Sequence, residues 1–330
     1  MSSHDSRFRP FMHKFIGGQT AAPSQSKRRW QQGLFWALIS PLFLGTIPIL
    51  AKVAYAAGVD VVTVVAFRTV FAAAMLWGAV LTFQRKYIVS SSPAIISSLV
   101  AGTINGIGSL FFYASLTRID ASLGQLINIT YLVFVTLLLR LAGQSVSLLT
   151  ALRTILAILG IYILTQGGLG DPDWIGVGMM AIGALTYAIQ LVLSQRILYD
   201  TPAPTMALYA MTAMAGVVTI AWVINPSDLT AVSSTGWTAI LLMGFTTGLS
   251  RLTLFLGVKH LGSLQTALLG MLEVVVSIVL AILFLGERFT LIQWLGALVL
   301  LVSILLVRYE RNVPKFIDYW KFFWRLHLRR

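Results

Sequence analysis

Glu273 interrupts the apolar run LLGMLEVVVSIVLAILFLGER, residues 268–288, which is long enough to cross a bilayer. A charge near the bilayer centre costs at least ~2.5 kcal/mol, so such a group is expected to face protein rather than lipid. Arg251 lies just past the middle of the preceding apolar stretch. The two stretches run antiparallel through a short loop, which brings Glu273 and Arg251 to nearly the same depth, where they can pair. Two chemistries fit. In one, a solute and a proton neutralise the charges in turn during transport; in the other, a fixed ion pair fastens two helices. Glu273 is the one acid within an apolar stretch, so any proton coupling is assigned to it.

Further polar side chains recur at similar depth: Asn105, Gln125, Asn128, Tyr131, Tyr187, Gln190, Thr247 and Ser250. Each alone could be a helix-to-helix hydrogen bond. Their common depth predicts a shared cavity. Phe111, Phe112, Tyr113 and Trp36 would wall it and suit a small amphipathic or aromatic solute, although aromatic residues also serve packing and interface belts. Lys52 and Arg68 fall toward the opposite face from the basic loops. They are expected at an outer mouth, where they would draw anionic groups, and Lys52 is also placed to snorkel.

Other chemistries are poorly supplied. The histidines are His4, His13, His260 and His327, placed in tails and a loop, and no acids are spaced to share a metal. Cysteine is absent, which removes disulfides, thiolate metal sites and thiol nucleophiles. No metal, cofactor or catalytic group is expected, and the chain is not read as an enzyme. A channel, or a non-transporting membrane scaffold, is the alternative to a carrier.

The elements that must position these groups are membrane helices. The chain is 57% hydrophobic and only 11% charged, more apolar surface than a soluble domain can hide. Ten stretches have the length of a span: 33–55, 61–83, 93–116, 121–141, 149–166, 175–196, 205–224, 237–257, 263–285 and 290–308. The fold expected is all-α integral membrane. The net charge of +13 does not point to nucleic acid, because 19 of the 24 Lys and Arg fall on one face if both termini are cytoplasmic. Residues 1–32 form a basic tail without periodicity. Residues 309–330 interleave Phe316, Trp320, Phe323 and Trp324 with Lys and Arg, as either an interfacial helix or a juxtamembrane anchor. A multi-pass protein of a plasma or bacterial inner membrane follows.

The chain also repeats itself. A shift of 142 residues lays AGTINGIG (101–108) on MGFTTGLS (243–250), superposing the GxxxG pairs Gly102/Gly106 and Gly244/Gly248, which are expected to be helix-packing faces. The same shift puts Tyr131 on Glu273. The two five-helix repeats, 33–166 and 175–308, each have an odd number of spans, so the second enters the membrane inverted, an architecture of transporters. Pro41, Gly45 and Pro48 interrupt the first span, as a kink or as a broken helix lining a cavity.

LGTIPILAK (44–52), AFRTVFAAAML (66–76) and, most specifically, LLGMLEVVVSIVLAILFLGERFTLIQWLGALVLLVSILL (268–306) resemble EamA-type transporters of the drug/metabolite transporter superfamily. The likeness covers roughly 33–308. It implies a secondary transporter with a central cavity between spans one, three, four, six, eight and nine, moving a small metabolite by alternating access. The chain departs from the family pattern at Leu44, where a tryptophan is usual, at Gly143-Gln144 in place of Gly-Glu, and at Val274, where a proline usually follows the glutamate.

Overall fold

Long apolar runs punctuated by Pro, Gly and Asp produce helices, and all regular structure among the described residues is helical. The computed structural model describes residues 23–141, 152, 155–156, 158–163, 173–261, 266, 269–270 and 272–306. The tail before residue 23, Gly143-Gln144, Asp171 and the basic aromatic tail after residue 306 lie outside the described residues.

The helices are α1 (Pro23–Leu44), α2 (Ile47–Ala56), α3 (Val61–Phe83), α4 (Ser92–Ser115), α5 (Ala121–Asn128), α6 (Tyr131–Leu141), α7 (Trp174–Asp200), α8 (Ala203–Ile224), α9 (Ser234–Leu261), α10 (Leu272–Leu280) and α11 (Leu291–Leu305). Side-chain caps and prolines start several of them. Asp60 accepts from the Val62 and Thr63 amides at the head of α3, and Asp173 accepts from Gly176 at the head of α7. Pro93 and Pro204 occupy first-turn positions of α4 and α8, where a missing N–H costs no helical bond.

Among the described residues, seven helical segments are long and apolar enough to cross a membrane: 31–56, 61–83, 92–115, 121–138, 174–200, 203–224 and 234–261. The ninth and tenth expected spans are represented by shorter apolar helices, Leu272–Leu285 and Leu291–Ser303, and the fifth only by scattered described residues.

Among the described residues, three crossings are broken rather than continuous. The first breaks at Gly45-Thr46: Gly45 donates its amide to Pro41, Thr46 turns its hydroxyl back to Phe43, and α2 restarts with Pro48 in its first turn. The fourth breaks at Ile129-Thr130, where Thr130 donates both amide and hydroxyl to the Ile127 carbonyl. The ninth turns at Gly270, whose carbonyl accepts from the Glu273 amide. Glu273 was expected deep inside an unbroken span, but it sits in the first turn of α10, just past this break. Tyr131 begins α6 at the equivalent point of the first repeat.

The two halves of the chain interleave. Helix α4 packs between α7 and α8, and α9 packs correspondingly against α1–α2 and α3; α3 lies on α8, α5 and α6 on α7, and α10 on α1 and α5. Exchanging first-half helices for their second-half counterparts leaves this pattern of neighbours nearly unchanged. Large apolar side chains cover the outside, among them Leu283 and Phe284, 70% and 72% exposed, and Leu291 at 83%. Exposed apolar surface on this scale has lipid as its natural partner.

Candidate functional site

A cavity opens where the halves meet. The first half contributes Arg68, Asn105, Tyr113 and Asn128, and the second contributes Tyr187, Thr247, Arg251 and Glu273. It leaves about 70 Å³ for the centres of water-sized groups, several times what a single water requires. Small residues bring α4 and α7 close together beside it. Gly108 of α4 and Gly183 of α7 also line it, and a Cβ on Gly108 would come within 1.7 Å of the Thr186 hydroxyl.

Glu273 is 7% exposed and accepts from Gln125 Nε2 at 2.8 Å; Gln125 in turn accepts from Asn128 Nδ2 at 3.3 Å through its own Oε1. This amide relay from α5 holds the carboxylate in place. Arg251 lies at a depth where it could pair with Glu273, but it does not: its Nη1 donates to Gln190 Oε1 at 3.1 Å, and its guanidinium lies 5.5 Å from the Tyr187 ring centre. The break at Gly270 restarts the helix at Leu272 and aims Glu273 at α5, while Gln190 and Tyr187 of α7 claim the arginine.

Arg68 is the second correction. It was expected at the outer mouth, but it is 2% exposed, lines the cavity, donates from Nη1 to Thr247 Oγ1 at 3.0 Å, and lies 4.3 Å from the centre of the Tyr113 ring. Its position along the chain set its depth in α3 but not the direction it faces. Lys52 does not line the cavity; it donates to the Ile119 carbonyl at 2.8 Å and ties α2 to the turn before α5.

Asn105 lines the cavity and donates to the Met214 sulfur. Ser250 is withdrawn from it: its hydroxyl returns to the Thr247 carbonyl, and its own carbonyl accepts from Ser40. Gln125 and Gln190 serve as partners of Glu273 and Arg251 rather than as walls. Tyr131 packs edge-on against Tyr187, 4.8 Å between ring centres, and borders a second, smaller cavity with Ser40, Thr266 and Gly270. Leu44, Tyr187 and Glu273 border both cavities. Of the expected aromatic walls, Phe112 and Tyr113 line the main cavity, whereas Phe111 and Trp36 do not.

The GxxxG faces are close contacts. A Cβ on Gly102 would meet the Ala210 carbonyl oxygen at 2.1 Å, and one on Gly244 the Arg68 carbonyl oxygen at 2.9 Å; Gly106 faces Val217 and Gly248 the flexible end of Met75.

Sequence reading missed Glu287. Its carboxylate accepts from the amides of Ala121 and Ser122 and from the Ser122 hydroxyl, so the segment after α10 caps α5 of the other half. Burial, then the nearby Glu287 carboxylate, raise the pKa of the adjacent Asp120, against the opposing pull of Lys52. The sequence carried no signal for it: Asp120 itself has the side chain of an N-cap residue for α5, and nothing in the chain names a partner 166 residues away.

The profile of the EamA-like transporter family matches residues 31–166 and again 174–309. The chain belongs to the EamA-like transporter family. This EamA-like transporter is 25% identical over 297 residues to the uncharacterized transporter YcbK of Bacillus subtilis (strain 168), an alignment covering 83% of this chain and 92% of that one. A protein solved by crystallography superposes with a TM-score of 0.62 at 15% identity, over 86% of this chain and 99% of its own; that likeness is one of fold. Two copies of one family unit thus build a multi-pass membrane transporter, with the cavity between them.

Proposed function

We propose that the chain is a secondary transporter that moves a small metabolite, an amino acid or similar amphipathic solute, by alternating access of the cavity between its repeats. The observation that carries this reading is that the cavity is built from both halves, with Glu273 and Arg251 from one and Arg68, Asn105 and Asn128 from the other. A site at a repeat interface can be opened to either side by rocking one repeat against the other. The near-invariance of the helix neighbours on exchanging halves supports an inverted pseudo-two-fold relation, in which the outward and inward states have comparable energies.

Glu273 is the coupling group in this reading. It borders the main cavity and also the smaller one, which lies toward the C-terminal ends of α7 and α9, the side that the Lys and Arg partition assigns to the cytoplasm. A carboxylate between two such spaces can exchange a proton with one and then the other. Asn105, Asn128, Tyr187 and Thr247 contact the solute, while Gln125 and Gln190 orient the charges.

Counterflow in proteoliposomes tests the carrier: unlabelled solute trapped inside should drive transient accumulation of labelled solute above equilibrium. Flux that rises linearly with concentration and shows no counterflow would make the protein a channel.

A further inference from the structure

We infer that the transported solute is a small organic anion, carrying a carboxylate or a group of similar charge and shape, held between Arg68 and Arg251; this rests on the transporter reading above.

The inference comes from charge and unmet hydrogen bonding. Arg68 and Arg251 are 2% and 8% exposed and line the same cavity with a single acid, Glu273. Two guanidiniums against one carboxylate leave an excess of one positive charge. That carboxylate is held by Gln125 and forms no ion pair with either arginine. Each guanidinium makes one hydrogen bond, to a neutral oxygen, of Thr247 or of Gln190, and the Nε of each is buried with no partner. Buried cations are ordinarily paired or fully hydrogen-bonded, because an orphaned charged donor forfeits its hydration without recompense.

The surroundings hold the two arginines ready rather than satisfied. Tyr113 lies beneath Arg68 and Tyr187 beneath Arg251, the rings orienting the planar guanidiniums through cation–π contact without using their N–H groups. The two tyrosines come from α4 and α7 and the two arginines from α3 and α9, so the anion would be gripped by both repeats at once. A carboxylate accepts paired N–H groups in the plane of a guanidinium fork, which an ammonium or a neutral amide cannot match. Apolar Leu44, Ile47, Phe112 and Met214 line the rest of the cavity and suit a short apolar body. A cationic solute would face two like charges.

The test is binding, independent of transport. Purified full-length protein in neutral detergent is unfolded thermally, with acetate and benzoate as anionic probes, acetamide and benzamide as their neutral counterparts, and benzylammonium as the cation. A carboxylate should raise Tm saturably, and its amide should bind roughly tenfold or more weakly, as loss of charge-assisted hydrogen bonds predicts. Arg68→Gln and Arg251→Gln should each weaken the carboxylate about tenfold. Glu273→Gln supplies a control that misfolding cannot imitate: removing the one negative charge should tighten carboxylate binding about threefold or more. Equal stabilisation by benzamide or benzylammonium, no saturable shift from either carboxylate, or weaker carboxylate binding in Glu273→Gln would each overturn the inference. Counterflow that persists despite such a result leaves the carrier reading standing, whereas anion binding without counterflow removes the carrier and leaves the site.

Discussion

Glu273 and Arg251 share a cavity without touching, and that separates two accounts of why charges sit at membrane depth. A direct buried pair loses about 3–5 kcal/mol when one partner is removed, and the double substitution recovers most of it. Here each charge has its own neutral partner, Gln125 or Gln190, so the double variant Glu273→Gln/Arg251→Gln should not recover stability. A thermodynamic cycle on the purified protein should give a coupling energy of no more than about 1 kcal/mol. A coupling of about 3 kcal/mol or more would mean that the pair forms. In transport, Glu273→Gln should abolish concentrative uptake or export while exchange of bound solute survives; unchanged concentrative transport would reduce Glu273 to a structural role.

At the scale of helices, close packing depends on which atom a glycine faces. Gly102 meets backbone of α8, which cannot yield, so Gly102→Ala should cost several kcal/mol or prevent expression, more than Gly248→Ala, where the obstacle is the movable end of Met75. Gly216, in α8 with open space around it, is the opposite case: Gly216→Ala should stabilise by about 0.5–1 kcal/mol. Thermal unfolding of the three variants in detergent checks the order, and a tolerated Gly102→Ala would mean that α4 and α8 are further apart than described. The cap of α7 adds a pH dependence. The Gly176 amide and Arg118 hold the Asp173 carboxyl below its ordinary value. A folded pKa lower than the unfolded one stabilises at pH above the unfolded value, about 4, and that stabilisation is lost as pH falls through the folded value. Asp173→Ala should therefore lower Tm at pH 7, and the gap to the parent should narrow as pH falls below about 4. A gap that stays constant as pH falls would show that the carboxylate's charge contributes nothing.

For the whole molecule, the distribution of Lys and Arg predicts cytoplasmic termini, with the turn after α3 inside and the turn after α8 outside. Lys86 and Asn225 are exposed in those two turns and the chain has no cysteine, so Lys86→Cys and Asn225→Cys report sidedness directly. An impermeant maleimide should label residue 225 but not residue 86 in intact cells. The reverse pattern would invert the topology and place the smaller cavity on the outer side.

Composition, span length and the 142-residue repeat determined that this chain is a helical membrane protein in two copies, because hydrophobic burial and bilayer thickness act on every residue of a span alike and leave their mark on local sequence. The GxxxG faces were legible for the same reason: Gly spaced by four falls on one side of any helix. The polar cavity was legible as a depth, since Asn105, Asn128, Tyr187, Thr247, Arg251 and Glu273 fall at similar heights and do line one space. Depth is not direction, and only the tertiary structure decided direction. Rotation of α3 about its axis turned Arg68 inward, the break at Gly270 gave Glu273 to Gln125 instead of Arg251, and Glu287 reached across the halves to cap α5. Each of these depends on how helices far apart in sequence pack against one another, and that packing is set by the summed shape of all their neighbours rather than by any single stretch of chain.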